Sequence, residues 1–172
     1  MAAAITDLNA RHPKKLGSVQ REYFEDTYAA VLHALAAFQY PDDIGVMKTV
    51  AYCRQHAWRL AAIIYVKTGI RKWDKVMHPI QGINEYISAL HALDLENLWV
   101  SMPEVLVWLL FIGTFGTWDG VELSWVLLEL RRGIRLLNIK SAEELEKLLK
   151  SMLLTNSLKE RYLYMIWQAV SA

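Results

Sequence analysis

Hydrophobic positions along this chain recur every three or four residues, and turn-forming residues interrupt them at short intervals. That period is typical of α-helices that bury one face. The clearest stripe is made by Val46, Val50, Cys53, Ala57, Leu60 and Ile64. Met47, Ala51, Trp58 and Tyr65 widen the stripe. We therefore predict a helix over residues 44–67 with a broad buried face, stopped by Gly69.

The same pattern predicts an all-α fold, a single-domain helical bundle of about seven helices. Ser18 is placed to cap a first helix that runs to Phe38, and Pro79 opens a third helix that reaches Leu93. We expect residues 1–17 to form an irregular N-terminal segment and residues 18–172 to form one helical domain. The connections are as short as helix–helix connections usually are.

Three capping boxes start the last three predicted helices. In this motif the first side chain accepts a hydrogen bond from an N–H of the first turn, and a glutamate three residues later reaches back. The boxes are Asp119–Glu122, Ser141–Glu144 and Ser157–Glu160. They predict helices that reach about Leu137, Leu154 and Val170.

The segment Ser101–Trp118 is long and apolar, and it either crosses a membrane or forms the central buried helix. A span needs about 20 apolar residues. Glu104 lies inside the segment, and Gly113 and Gly116 shorten its apolar part to residues 105–112. No basic residues flank it. We predict a helix that begins at Pro103 and is buried in a protein core rather than in a membrane.

Composition narrows the classes of function. Lys and Arg total 19 and Asp and Glu total 18, for a net charge of +1. A DNA-binding module usually carries a basic excess, so direct nucleic-acid binding is not expected. The single cysteine, Cys53, excludes an internal disulfide and a cysteine-based zinc site and fits an intracellular protein, nuclear or cytoplasmic. We expect Cys53 to be a small buried hydrophobic residue.

Candidate chemistry lies on the first two helices. Tyr52, His56 and Arg59 fall on one line of the second helix, where they form either a half-exposed face or the polar edge of a ligand pocket. His33 lies among apolar residues of the first helix. If the fold joins His33 and His56 around a pocket, they could act as an acid–base pair. Otherwise each is an ordinary surface or core histidine.

Four aromatic residues are candidate ligand contacts: Tyr65, Trp73, Trp99 and Trp108. Trp73 and Trp99 are placed in predicted connections, where an exposed indole would mark an interface or a pocket mouth. Trp108 and Trp125 are expected in the core. A small basic patch of Arg131, Arg132, Arg135 and Lys140 fits a solvated helix end better than a phosphate site. No metal-ligand spacing, phosphate loop or nucleophile motif is present, so we predict no cofactor and no metal.

Three segments resemble the fungal-specific transcription factor domain, the regulatory region of zinc-cluster transcription factors. Residues 59–68 resemble that family's L-A-x-L-I-Y-L-x-T helix. Residues 104–113 resemble its L-x-W-x-L-F-x-G helix, followed by Trp125. Residues 137–154 resemble its L-G-I-x-S-W-E-E-x-x-x-L-L segment, which ends near Trp167. The likeness covers Arg59–Trp167 and implies an all-α regulatory domain.

The chain departs from that family at several points. The family's DNA-binding module needs six cysteines around two zinc ions, and this chain has one. Leu123 and Val126 stand where an arginine and an aromatic residue are frequent, and Ala142 replaces the tryptophan after the capping serine. The chain is therefore either a fragment or a stand-alone descendant that has lost DNA binding.

Three hypotheses of function follow. The first is a regulatory module that binds an apolar small molecule or a protein partner. The second is a small enzyme on the same scaffold, a natural-product cyclase or isomerase with acid–base assistance in an apolar pocket. The third is a scaffold that forms a homo-oligomer.

Overall fold

The structure is a computed structural model that describes residues 26–27, 29–31, 33–34, 50–70, 82–115, 121–154 and 158–171. These residues form helices and short connections, and no strand occurs among them. The prediction of an all-α fold with about seven helices is confirmed. The predicted irregular segment over residues 1–17 lies outside the described residues.

Seven α-helices and two π turns can be followed after residue 50. They are α1 Val50–Tyr65, continued by a first π turn Val66–Ile70; α2 Ile83–His91; α3 Leu95–Ser101; α4 Pro103–Gly113; α5 Val121–Leu136; α6 Ala142–Met152; and a second π turn Lys159–Leu163 that leads into α7 Tyr164–Ser171. The described positions between residues 26 and 34 are also helical, as predicted for the first helix.

Helix α4 is the centre of the fold. It packs against α1, α2, α3, α5 and α6. Every residue from Leu106 to Gly113 is buried, because this stretch is apolar around its whole circumference. Pro103 lies in its first turn and Gly113 is its last residue. The prediction of a buried core helix is confirmed, and no helix among the described residues is long and apolar enough to cross a membrane.

Helix α3 corrects the prediction of a connection at Trp99. The Asp94 carboxylate caps this helix by accepting a hydrogen bond from the Asn97 N–H at 3.2 Å. Trp99 is helical and only 3% exposed, packed against α5. Met102 joins α3 directly to α4: its N–H donates to the Leu98 carbonyl, and its own carbonyl accepts from Leu106.

The start of α6 follows its predicted capping box. The Ser141 hydroxyl accepts from the Glu144 N–H at 3.3 Å, while the Glu144 carboxylate accepts from the Lys140 N–H at 2.6 Å, one residue earlier than in the usual box. Asp119 and Ser157 lie outside the described residues, as do Pro79 and Ser18. Helix α6 ends at Met152, two residues before the predicted end.

The first half of α1 is less buried than its stripe predicts. Ala57, Leu60 and Ile64 are buried as expected, but Val50, Ala51 and Trp58 are exposed and Cys53 is half-buried. The predicted broad face is therefore wrong at Val50, Ala51 and Trp58, while Cys53 packs against the edge of the core. Gly69 does not stop the helix either, since it lies inside the first π turn.

Candidate functional site

A polar cluster occupies the outer side of α1, where the sequence places Tyr52, His56 and Arg59 on one line. The Tyr52 and His56 rings stack with their centroids 5.9 Å apart. Arg59 Nη2 lies 3.4 Å from His56 Nδ1, and Glu85 Oε1 of α2 lies 3.5 Å from His56 Nε2. The predicted alignment on α1 is confirmed, and α2 adds a carboxylate.

The contacts of the His56 ring fix its protonation pattern. A guanidinium can only donate, so Nδ1 must accept from Arg59, and the ring proton of the neutral form lies on Nε2, facing Glu85. An imidazole held between a donor and a carboxylate can transfer a proton in principle. The cluster is partly exposed, with Tyr52 at its outer edge.

His33 does not join this cluster. It is exposed on the helical segment that contains residues 33–34, and no hydrogen bond, ion pair or ring contact links it to His56 among the described residues. The acid–base pair that the enzyme hypothesis considered therefore stays a prediction.

An aromatic row runs along one face of α4. Trp108, Phe111 and Phe115 lie on one side, because they are three and four residues apart. The Phe111 and Phe115 rings are 5.1 Å apart and meet edge to face. At one end Tyr65 tilts against Trp108 at 6.2 Å, and at the other Tyr162 stacks on Phe115 at 4.5 Å. We call these five residues the aromatic row.

Both ends of the aromatic row adjoin π turns. Tyr65 is the last residue of α1 before the first π turn, and Tyr162 belongs to the second. A π turn widens the helix by one residue per turn and frequently occurs at functional sites. Tyr65 therefore meets Trp108 of α4 just before one π turn, and Tyr162 meets Phe115, two residues beyond the end of α4, from within the other.

The Tyr65 hydroxyl is the unusual group of the row. The residue is 5% exposed, yet its hydroxyl makes no hydrogen bond within the described part of the chain. Arg54 Nε is the fully buried side-chain atom that lacks a partner there, so the Tyr65 oxygen reaches the surface. Burial raises the pKa of Tyr65 to about 12. Like any tyrosine, it is protonated at neutral pH and can donate a hydrogen bond.

The tryptophan candidates differ in their surroundings. Trp108 is buried, as predicted, and its Nε1 donates to the Leu153 carbonyl at 3.4 Å. Trp99 donates from Nε1 to Glu129 Oε2 at 3.2 Å, and its ring is covered by α5. Trp125 is half-buried and lies 3.9 Å from the His91 ring. Trp73 lies outside the described residues.

The predicted basic patch is divided among different partners. Arg131 donates to the Val170 and Ala169 carbonyls at 3.1 Å each, at the C-terminal end of α7. Arg132 forms a forked pair with Glu96 through two contacts of 2.6 Å. Two of its four cations are therefore already bound to groups of this chain, which disfavours a phosphate site.

Sequence reasoning missed Glu85, Phe115 and Tyr162. Phe115 follows Phe111 at helical spacing, so that signal was present in the sequence. Glu85 and Tyr162 come from other helices, and no local pattern could place them. The described residues bring together no group of three or more His, Cys, Asp or Glu side chains that could hold a metal ion.

Comparisons with known proteins gave no similarity to report. No family model matches the chain, no curated protein matches it, and no solved structure matches its fold.

Proposed function

We propose that this chain is a non-catalytic regulatory module that binds an apolar, aromatic small molecule at the Tyr65 end of the aromatic row. The ligand packs against the indole of Trp108 and accepts a hydrogen bond from the Tyr65 hydroxyl. Such a site is mostly apolar with one well-placed polar group, which is the usual composition of a small-molecule site.

One observation carries this proposal: the Tyr65 hydroxyl makes no hydrogen bond to any residue that the structure describes. Because its oxygen reaches the surface, the hydroxyl can donate to water or to a ligand, and a ligand that accepts from it takes the place of that water. Tyr65 and Trp108 also lie in two of the three segments that resemble the fungal-specific transcription factor domain. The near-neutral charge and the divided basic patch support a small-molecule ligand over nucleic acid.

A matched pair of probes tests the role of the hydroxyl. 2-Acetylnaphthalene carries a carbonyl that can accept from Tyr65, and 2-ethylnaphthalene has nearly the same shape without it. Titration calorimetry should show tighter binding of the ketone to the wild type. Tyr65→Phe should weaken ketone binding about five- to tenfold, as expected for loss of one hydrogen bond, and leave the hydrocarbon unchanged.

Tyr164→Phe is the control, because Tyr164 is an exposed tyrosine of α7. It should bind both probes like the wild type. The proposal fails if the wild type binds neither probe at millimolar concentration, or if Tyr65→Phe weakens both probes equally. Circular dichroism of each variant separates loss of binding from loss of fold.

One specific observation supports the enzyme hypothesis: the His56 ring lies between Arg59 and Glu85. On that hypothesis His56 moves a proton of a substrate bound beside α1. Deuterium exchange into a panel of cyclic ketones, followed by mass spectrometry, would detect proton abstraction. His56→Gln should abolish the exchange if the hypothesis holds, and an absence of exchange in the wild type would remove it.

A further inference from the structure

Three of the exposed aliphatic side chains among the described residues lie on two neighbouring helices, α3 and α5. Val100 of α3 is 87% exposed, and Leu128 and Leu136 of α5 are 62% and 52% exposed. Single exposed hydrophobic residues are ordinary, but a contiguous group marks an interaction site. Their arrangement therefore decides whether they have a function.

Helix geometry and one ion pair place the three side chains on one surface, with the charged pair between them. Leu128, Arg132 and Leu136 are successive four-residue neighbours on α5, about 6 Å apart. Val100 bears the same relation to Glu96 on α3. Arg132 donates two hydrogen bonds of 2.6 Å to the Glu96 carboxylate. This ion pair brings the exposed residues of α3 beside those of α5. The aliphatic side chains thus surround an ion pair.

We call this surface the α3–α5 patch: Glu96, Val100, Leu128, Arg132, Arg135 and Leu136. Arg135 belongs to it because it is seven residues, two helical turns, from Leu128. All six residues are exposed. The patch combines apolar side chains with arginine, a composition enriched at protein interfaces.

The layer beneath the patch holds it in one shape. The Trp99 ring lies so close to α5 that a methyl group at position 133 would be 2.6 Å from it. Trp99 Nε1 is fixed by Glu129 Oε2, which also lies 3.9 Å from Arg132 Nη1. A preformed surface loses little conformational entropy on binding, which favours association.

The charges of the patch favour a second copy of the same chain as its occupant. Arg132 and Arg135 are balanced by Glu96 and by the neighbouring Glu129, so two copies would not repel each other. In a two-fold dimer the same patch contributes from both sides. Arg135, which has no ion pair among the described residues, can then contact the largely exposed Glu96 of the other copy. A nucleic acid would require a basic excess that the patch lacks.

We propose that the protein forms a two-fold homodimer through the α3–α5 patch, with Val100, Leu128 and Leu136 of each copy packed against those of the other. Arg135 of each copy pairs with Glu96 of the other copy at the edge of the contact. The dimer contact is independent of the ligand site. The dimer contact lies on α3 and α5, and the ligand site lies at the Tyr65 end of the aromatic row.

Sedimentation velocity of the full chain between 1 and about 100 µM tests the dimer. The wild type should shift from monomer to dimer within this range, the regime of moderate interfaces. The double variant V100E/L128E should remain monomeric, and Arg135→Glu should weaken association about tenfold. Both variants alter exposed residues, so circular dichroism should show unchanged helix content.

Leu153→Glu is the matched control, since Leu153 is an exposed leucine at the end of α6, outside the patch. It should dimerise like the wild type. A wild type that stays monomeric at 100 µM overturns the proposal, even if its patch then binds anionic vesicles. Wild-type-like association of V100E/L128E overturns it as well, because the contact would then lie elsewhere.

Discussion

The contact between α3 and α5 differs from the contact between α6 and the second π turn. In the first, the Trp99 ring lies over Gly133 with no room for another atom. In the second, the Glu146 carboxylate lies between two ammonium groups, 2.6 Å from Lys150 Nζ and 2.8 Å from Lys159 Nζ. The first contact depends on shape and the second on charge. Volume changes should therefore disturb the first, and pH or salt the second.

The largest effect is expected for Gly133→Ala. The new methyl group would lie 2.6 Å from Trp99 Cη2 and 2.7 Å from Val107 Cγ2, so a ring and a central-helix side chain must move. Overpacking of this kind costs about 1–3 kcal/mol, which exceeds the gain of about 1 kcal/mol from replacing a helical glycine. Urea unfolding should show a net loss of up to about 2 kcal/mol, with little dependence on salt.

Gly113→Ala is the control for that substitution. A methyl group at position 113 would lie 3.5 Å from Leu90 and Val126 side chains, which is ordinary van der Waals contact. This variant should be as stable as the wild type or slightly more stable. Equal losses for the two variants would show that any added methyl group near α4 is harmful, and the role of Trp99 would be refuted.

A smaller effect with a different signature is expected for Glu146→Gln. The hydrogen bonds from Lys150 and then Lys159 hold the pKa of Glu146 below its ordinary value of 4.5. The folded state therefore binds a proton less readily than the unfolded state, and the ion pairs contribute stability above pH 4.5 that is lost as the pH falls through the folded pKa. The difference in the free energy of unfolding between the wild type and Glu146→Gln should be largest at pH 7 and should become smaller in acid.

Urea unfolding at pH 7, pH 4.5 and pH 3 measures this difference. Glu104→Gln is the control, since Glu104 is exposed and makes no ion pair among the described residues. Glu104 lies in the first turn of α4, so this variant should lose only the small favourable interaction of its charge with the helix dipole, less than Glu146→Gln loses at pH 7. A Glu146→Gln variant that differs from the wild type equally at all three pH values would mean that the carboxylate acts by packing rather than by charge.

The smallest effect is expected for Glu96→Gln, which removes the ion pair from the contact that depends on shape. Both partners are largely exposed, and exposed pairs contribute little and are screened by salt. The thermal melting temperature should fall less than for Glu146→Gln at low salt and match the wild type in 1 M NaCl. If the melting temperature falls more for Glu96→Gln than for Gly133→Ala, the contact between α3 and α5 depends more on charge than on shape.

Local signals predicted the central parts of the fold well. Pro103 and Gly113 mark the ends of α4, and Ser141 with Glu144 marks the start of α6, because each signal acts within one helical turn. Helix α3 was missed because it has seven residues and no repeated stripe. Its Trp99 ring lies against Gly133, which is distant in sequence, and a local pattern cannot show such a contact.

For the candidate sites too, spacing within one helix could be predicted and contacts between helices could not. The line of Tyr52, His56 and Arg59 follows from spacing on one helix, and the structure confirms it. Glu85 completes that cluster from another helix. The lack of a partner for the Tyr65 hydroxyl among the described residues could not be predicted, since it depends on side chains from several other helices.

The junction at Met102 has a consequence for changes in chain length. One residue ends α3 and begins α4, with φ −149° and ψ 57°, so no spare residue separates the two helices. Because each helical residue turns the chain by about 100°, inserting or deleting one residue here would swing Trp99 away from Gly133. Homologous chains should therefore vary in residue type at this junction but keep its length.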